Sequence, residues 1–179
     1  EYKKEAKNIY KNIFPKIITV ARLDKRKSHQ NIIMTIKNLK TIYPEIKYVC
    51  VGDGEEKNNL LNQIKLNKIE NNVHFLGQID NVYPLIKNSM ATISTSLWED
   101  PGAVMIETSY CKKISIVSDC PNGPAEFLSF GKGGYLFKNN DIDDLIDKIY
   151  SFLKDDEYTK KKKILFFQKN SKNYTIFNH

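Results

Sequence analysis

One stretch, MATISTSLWEDPGAVMIETSYCKKISIVSD (residues 90–119), holds a complete strand–helix–strand unit. The short runs at 90–96 and 114–119 predict two β-strands, and the segment 103–111 between them has the residue spacing of a helix. We expect both strands to be apolar on both faces, which is typical of parallel strands covered by helices on each side. The stretch therefore predicts one βαβ unit of a parallel sheet.

The same alternation extends in both directions from this unit. Further strands are predicted at 16–21, 46–52, 72–77 and 133–138, and further helices at 28–43, 53–67, 80–88, 124–129 and 141–154. A last, polar helix is predicted at 156–172. The pattern predicts an α/β fold with a doubly wound parallel sheet, Rossmann-like, in a single domain. We place that domain at 15–155, after a linker or extension at 1–14 and before a C-terminal helical tail at 156–179.

Composition narrows the functional classes. The chain has 179 residues, of which 41% are hydrophobic, and no apolar run approaches the roughly 18 residues that span a bilayer. The net charge is +7, but no aromatic stacking platform or recognised motif favours nucleic acid. The densest basic run, Lys160 to Lys163, is either a solvated face or a contact with an acidic membrane or partner. Because the first residue is Glu1 rather than Met, we expect a piece of a longer protein.

The three cysteines have no metal-ligand spacing and leave an odd thiol. Cys50 falls in a predicted strand and Cys111 near a helix end, so both are expected to be small buried residues. Free thiols favour a reducing compartment, so we expect a cytoplasmic protein without a structural zinc site.

In such a sheet, ligands bind beyond the carboxyl ends of the strands. Basic residues and glycines, which are typical of ligand-binding loops, occur at those positions. A basic loop with Arg22 and Lys27 follows the first strand, a turn at Gly52 follows the second, and Gly77 follows the third. The fourth strand is followed by Glu99 and Gly102, and the fifth by DCPNGPAE (119–126). We expect Lys25 and Arg26 to be solvated.

The loop after the fourth strand has the chemistry of an anion site. Pro101 suits a helix start, and Gly102 lets a ligand approach the backbone closely. The N–H groups of Gly102, Ala103 and Val104 would carry the positive end of the helix dipole. Carboxylates at Glu99 and Glu107 would accept sugar hydroxyls on either side, whereas in the alternative interpretation they only complement the dipole or lie on the surface. Arg22 and Lys27 at the same edge favour a nucleotide sugar, with phosphates between two sets of hydroxyls.

With these residues in view, the chain resembles the C-terminal, nucleotide-sugar-binding domain of the group 1 glycosyltransferases, which are retaining enzymes of the GT-B fold. The resemblance covers about residues 16–155. Its most specific element is E-x7-E, from Glu99 to Glu107, in SLWEDPGAVMIE (96–107). Supporting elements are VARLDKRK (20–27), VGDG (51–54), NVHFLG (72–77) and SDCPNGPAEFL (118–128).

The resemblance implies a role for each matched position. Arg22 and Lys27 would bind the donor diphosphate and stabilise the leaving group, while Glu99 would face the transferred sugar. Glu107 would hold the ribose hydroxyls. The implied donor-binding set is completed by Gly52, by backbone at Gly102, Ala103 and Val104, and by backbone from Val73 to Phe75, which would border the base.

The resemblance also implies an activity. A hexose or N-acetylhexosamine would pass from a nucleotide sugar, with UDP the expected carrier, to a glycan or lipid-linked acceptor in bacterial polysaccharide synthesis, without a metal or other cofactor. The acceptor would bind a separate N-terminal domain, so we expect this chain alone to be inactive. It would work in the cytoplasm, with possible peripheral contact at the inner face of the membrane.

Three departures and three alternatives stay open. Asp100 and Pro101 replace the family's usual Gly and Phe, Ser28 replaces a glycine after Lys27, and Ala21 replaces a glycine before Arg22. A nucleotide-binding regulatory or interaction domain without transfer activity would show many of the same features. A nicotinamide-binding domain is disfavoured because no G-x-G-x-x-G follows the first strand, and nucleic-acid binding is disfavoured further.

Overall fold

A computed structural model describes residues 16–99 and 102–174. Six strands lie in this part of the chain: β1 Lys16–Val20, β2 Lys47–Val51, β3 Val73–Phe75, β4 Ala91–Ser94, β5 Ile114–Asp119 and β6 Tyr135–Lys138. The helices are α1 His29–Leu39, α2 Lys57–Leu66, α3 Tyr83–Asn88, α4 Ala103–Tyr110, α5 Pro124–Phe127, α6 Ile142–Lys154 and α7 Glu157–Ser171. The predicted extension at 1–14, the pair Asp100–Pro101 and the last five residues of the predicted tail lie outside the described residues.

All six strands form one parallel sheet in the order β3-β2-β1-β4-β5-β6. The chain winds outward from β1 through β2 to β3, then returns to the other side of β1 to place β4. The strand order therefore reverses between β1 and β4, where loops leave in opposite directions and open a crevice. The predicted doubly wound sheet is confirmed.

Helices cover both faces of the sheet, and consecutive strand residues alternate between them. Ile17 joins a core under α1, α2 and α6, which includes Ile33, Leu60 and Ile149. Its neighbour Ile18 joins the opposite core with Ile86 of α3. A third cluster, from Met105 to Phe167, packs α4, α5 and α7 against the same sheet. Burial on both sides explains why the strands lack a polar face.

Element ends differ from the predictions where turns intervene. The helix predicted at 28–43 ends at Leu39 and is followed by a turn at 40–42, before Pro44 disfavours helical backbone at Tyr43. The helix predicted at 53–67 begins only at Lys57, because the preceding turn at Gly52 has φ 141° and is not helical. The predicted helix at 156–172 is observed as α7. Across the described residues, no helix combines the length and the apolar character needed to cross a bilayer.

The cysteine prediction is right for Cys50 and wrong for Cys111. Cys50 is fully buried on β2, where burial raises the pKa of its thiol to about 12. Cys111 instead caps the end of α4 and is partly exposed, because the chain turns outward there before β5. Cys120 is buried after β5, and all three thiols are free.

Candidate functional site

A cavity of about 280 Å³ opens at the reversal point of the sheet. The carboxyl ends of β1, β4 and β5 form its floor, and the start of α4 forms one wall. Its lining brings together Lys27, Glu99, Gly102, Ala103 and Val104, five of the residues that the sequence predicts for the site. The topology that reverses at β1 and β4 therefore gathers loops far apart in sequence around one crevice.

An ion pair between Lys27 and Glu99 lies in this cavity. The ammonium Nζ of Lys27 donates to Oε2 of Glu99 at 2.7 Å, and both side chains are largely buried. The other carboxylate oxygen, Oε1, accepts hydrogen bonds from the hydroxyls of Ser94 and Ser96. Buried ion pairs need such added hydrogen bonds to offset the loss of water. The carboxylate is thereby held in one orientation at the cavity wall.

Two loops are tied together to place Lys27 opposite Glu99. Lys27 ends a short 3₁₀ turn, and its backbone N–H donates to the side chain of Asp24, the residue that caps the turn. The hydroxyl of Thr95 donates to the carbonyls of Lys27 and Ser28, and the Leu97 N–H donates to the Arg26 carbonyl. The loop after β1 is therefore fastened along its length to the loop after β4.

The expectation that Arg26 is solvated is wrong. Its guanidinium lies 4.6 Å from the ring centre of Trp98 rather than in open solvent. A cation over an indole face is attracted by the ring's quadrupole, and the backbone bond to Leu97 brings the two side chains together. Lys25 is exposed, as expected.

The start of α4 faces the cavity with its backbone. Gly102 is the extended N-cap residue, and its carbonyl accepts from the Met105 N–H at 2.8 Å. No side chain of the described residues caps this end, so the first N–H groups of the helix remain available as donors. A Cβ on Gly102 would lie 3.6 Å from Oε2 of Glu99, which shows how closely the helix start approaches the ion pair.

Arg22 lies at the rim beside the cavity. It follows Ala21, a lining residue, and its side chain is exposed. Within residues 16–99 and 102–174 its guanidinium has no hydrogen-bond or ion-pair partner. Its carbonyl accepts a hydrogen bond at 2.8 Å from Nε2 of the buried His29, whose pKa is lowered by burial. The backbone is therefore anchored while the charged group faces solvent at the rim.

Gly52 joins three loops at the same edge. Its N–H donates to the Gly77 carbonyl at 2.8 Å, which links the loops after β2 and β3. A Cβ at Gly52 would come within 1.9 Å of the Ala21 carbonyl oxygen in the loop after β1. Only glycine permits that approach. The turn thus helps to position the chain just before Arg22.

The remaining predicted residues lie outside the cavity. Glu107 is half-buried one helical turn beyond Ala103, and burial raises the pKa of its carboxyl. Phe75, at the carboxyl end of β3, is partly buried. Val73 pairs with Tyr48 near the amino end of the sheet and packs in the core, because a three-residue strand begins below the ligand edge. The Val73 side chain therefore lies in the core, and the predicted contact of backbone from Val73 to Phe75 with the base stays a prediction.

The family model described as glycosyl transferases group 1 matches residues 3–166. The chain belongs to the group 1 glycosyltransferases. An uncharacterized glycosyltransferase of Methanocaldococcus jannaschii is 34% identical to it over 125 residues, which cover 70% of this chain and 30% of the relative. In Campylobacter jejuni, N-acetylgalactosamine-N,N'-diacetylbacillosaminyl-diphospho-undecaprenol 4-alpha-N-acetylgalactosaminyltransferase is 29% identical over 144 residues, 80% of this chain and 39% of that protein.

Among solved structures, HepE of Anabaena in complex with UDP-glucose matches with a TM-score of 0.84 and 21% identity, over 96% of this chain and 48% of that one. This likeness confirms the predicted fold class, a Rossmann-like domain of the GT-B glycosyltransferases. The chain spans less than half the length of these relatives.

Several polar residues of this cavity were not predicted from the sequence. Ser94 and Ser96 orient Glu99, Thr92 and Ser115 line the cavity floor, and Cys120 lies near Glu99 with its pKa raised by burial to about 11. The signal that could have found the serines is the run TISTS (92–96), which concentrates hydroxyl side chains at the end of one predicted strand.

Among residues 16–99 and 102–174, no group of three or more His, Cys, Asp or Glu side chains is arranged to hold a metal ion. Metal-independent action stays a prediction.

Proposed function

We propose that this chain is the donor-binding domain of a retaining glycosyltransferase. The enzyme would transfer a hexose or N-acetylhexosamine from a UDP-linked donor to a glycan or lipid-linked acceptor. Family membership supports the reaction class. The acceptor would bind a second domain that the relatives' additional length provides, and this chain alone would show no turnover.

The observation that carries the proposal is the Lys27–Glu99 pair set against the uncapped start of α4. A donor diphosphate placed there would meet backbone N–H groups and the ammonium of Lys27 together. Anions bind well at such helix ends because the free N–H groups and the dipole act in the same direction. The site therefore offers an anion cradle and a carboxylate within one cavity.

Lys27 would change partners when the donor binds. The phosphate oxygens compete with Glu99 for its ammonium, which lies 2.7 Å from Oε2 before binding. Once released, the Glu99 oxygen can accept a hydroxyl of the transferred sugar, while Ser94 and Ser96 keep the carboxylate oriented. One movement of a lysine would thus couple phosphate binding to sugar recognition.

The leaving diphosphate gains negative charge as the glycosidic bond to the sugar breaks. Lys27, Arg22 and the start of α4 would stabilise that charge, and groups positioned in advance do so most effectively because they need no reorganisation. Glu107 would hold the ribose, and backbone near Gly52 and Phe75 would border the base. These assignments require no metal ion.

The relatives support the substrate classes. HepE binds UDP-glucose in its crystal structure, and the Campylobacter relative is named for transfer of N-acetylgalactosamine to a diphospho-undecaprenol-linked sugar. A UDP-linked donor and a lipid-linked acceptor fit these names, and the anion cradle of this site fits the donor.

Titration calorimetry with UDP, GDP and NAD tests donor binding. We expect UDP to bind, and we expect Arg22→Ala and Glu107→Ala each to weaken UDP binding by roughly tenfold or more, since each removes charge-assisted hydrogen bonds. Lys25→Ala is the matched control, because Lys25 is an exposed cation in the same loop. The assignment would be wrong if only NAD gave a heat of binding. It would also be wrong if both test variants bound UDP as tightly as the parent protein.

A nucleotide-binding regulatory domain remains the alternative and predicts the same titrations. Turnover separates the two proposals. The full-length protein assayed against a panel of UDP sugars should release UDP only when donor and acceptor are both present. Binding without any turnover across the panel would favour the regulatory role.

A further inference from the structure

The outward face of α7 carries mainly basic and apolar side chains, and the one acidic residue of the helix, Glu157, lies at its N-terminal end and pairs with Lys160. Tyr158, Lys161, Lys162, Leu165, Phe166 and Lys169 recur at intervals of three or four residues, so they lie along one side of the helix, and all six are exposed. On the opposite side, Phe167 is fully buried against α5. The helix is therefore held to the domain by one face and presents the other, with three large apolar groups, to its surroundings.

A strained turn places a further aromatic ring beside this face. Ser129, Phe130 and Gly131 all have left-handed backbone, with φ of 49°, 53° and 86°. A bulky residue rarely adopts that conformation, which costs free energy. Despite this, Phe130 leaves 76% of its surface exposed. Within a protein, such backbone strain occurs mostly at sites where a side chain is held in a functional position.

The turn and the helix together form one groove. Lys163 of α7 links the helix to the turn, because its Nζ donates hydrogen bonds to the carbonyls of Gly131 and Gly134, each at 3.1 Å. Phe130, Lys132, Lys162 and Phe166 line an open groove of about 570 Å³, and no acidic residue is among its lining. The groove shares no residue with the donor cavity. It is a separate surface with aromatic rings between ammonium groups.

We propose that this face, defined by Phe130, Lys132, Tyr158, Lys161, Lys162, Leu165, Phe166 and Lys169, docks on an anionic lipid bilayer. The lysines would contact acidic headgroups, and Phe130, Leu165 and Phe166 would enter the boundary with the acyl chains. This combination of apolar insertion and cationic attraction is how interfacial surfaces bind membranes.

Charge and shape argue against the other occupants. A second copy of this chain would bring lysines against lysines, which repel. A nucleic acid would meet the lysines and the exposed rings, but the aliphatic Leu165 at the centre of the face gains apolar burial only in the acyl-chain boundary of a bilayer. An acidic bilayer is complementary to both the charge and the apolar groups.

Vesicle sedimentation tests the proposal with the chain as it stands. Vesicles of phosphatidylcholine mixed with phosphatidylglycerol in equal parts should pull down the protein, pure phosphatidylcholine should do so far less, and high salt should weaken the association. Phe130→Asn should reduce partitioning by about tenfold, because one buried ring is lost. Since Asn tolerates left-handed backbone, the same variant should keep or raise the unfolding temperature.

A matched pair of double variants separates this face from general charge effects. Lys162→Gln with Phe166→Ala should lose vesicle binding, whereas Lys65→Gln with Leu66→Ala, which removes an exposed lysine and an exposed leucine on α2, should bind like the parent. UDP titration of each variant reports independently that the donor site is intact. Equal loss in both pairs, no binding to acidic vesicles, or binding of labelled duplex RNA through these same residues without vesicle binding would each overturn the proposal.

Discussion

Ser28 lies between the turn that ends at Lys27 and the start of α1, with φ 45° and ψ 44°. This is left-handed backbone, which glycine adopts at a lower cost in free energy than serine does. The side chain is buried, and its Oγ has no hydrogen-bond partner among the described residues. The serine therefore carries both a backbone strain and an unsatisfied hydroxyl directly beside the catalytic lysine proposed above.

Replacing Ser28 by glycine should stabilise the protein. Relief of the left-handed strain contributes about 1 kcal/mol, and removal of the buried hydroxyl contributes about 1 kcal/mol more. The added chain entropy of glycine offsets about 1 kcal/mol. We expect a net gain of about 1 kcal/mol in the free energy of unfolding by urea denaturation.

Lys112→Gly is the control for this substitution. Lys112 has a similar φ of 56° but is exposed and has no buried hydroxyl. It should change stability by less than Ser28→Gly does. Equal effects of the two substitutions would mean that the unpaired Ser28 hydroxyl contributes nothing.

At the scale of elements, the loops after β1, β2 and β3 behave as one unit through Gly52. The Gly52 N–H bonds to Gly77, the Ala21 N–H bonds to Val51, and the Leu23 N–H bonds to Asp53. These contacts hold the backbone on both sides of Arg22. The position of one charged side chain at the rim thus depends on a turn thirty positions further along the chain.

Gly52→Ala should separate these loops. The new Cβ would start 1.9 Å from the Ala21 oxygen at a φ of 141°, so backbone must move, and we expect a loss of about 3 kcal/mol in stability. UDP binding should weaken as well, because Arg22 would shift. Thermal unfolding and UDP titration measure the two effects.

Gly123→Ala provides the comparison for Gly52→Ala. Gly123 also has a positive φ, of 110°, but a Cβ there meets no atom within 4 Å. Gly123→Ala should lower the free energy of unfolding by only about 1 kcal/mol, because it adds backbone strain but no clash. If both variants are equally stable, the close approach to Ala21 does not matter.

At the scale of the whole molecule, the donor cavity and the lysine-rich face of α7 are carried by one rigid sheet but share no lining residues. The cavity is built from strand ends and the start of α4, whereas the docking face is built from the outside of α7. Nucleotide binding and membrane docking can therefore be measured separately on the same protein.

UDP should stabilise the whole domain without metal. At a concentration of about 100 Kd, a ligand that binds only the folded state adds about 2.7 kcal/mol, which corresponds to a rise of roughly 5–10 °C in unfolding temperature for a chain of this size. We expect the same rise with EDTA and with added magnesium. Loss of the shift in EDTA would contradict the metal-independent site.

Much of the fold follows from local pattern. The strand predicted at 114–119 coincides with β5, and SLWEDPGAVMIE correctly marks the loop before a helix that begins at Ala103. Such features depend on neighbours a few residues away, so one sequence contains enough information. Helix ends at Leu39 and Lys57 were less accurate because proline and glycine turns override the apolar spacing.

The sequence alone determined the alternation of strands and helices, the ligand edge and the residue types gathered there, since all of these follow from periodic burial and from the direction of parallel strands. The tertiary structure determined which of those residues meet. Lys27 and Glu99 are 72 residues apart and were assigned separate roles, yet they form one ion pair held by Ser94 and Ser96. It also placed Val73 in the core and Phe130 beside α7. These outcomes depend on strand order and loop packing, which bring distant segments into contact and leave no periodic trace in the chain.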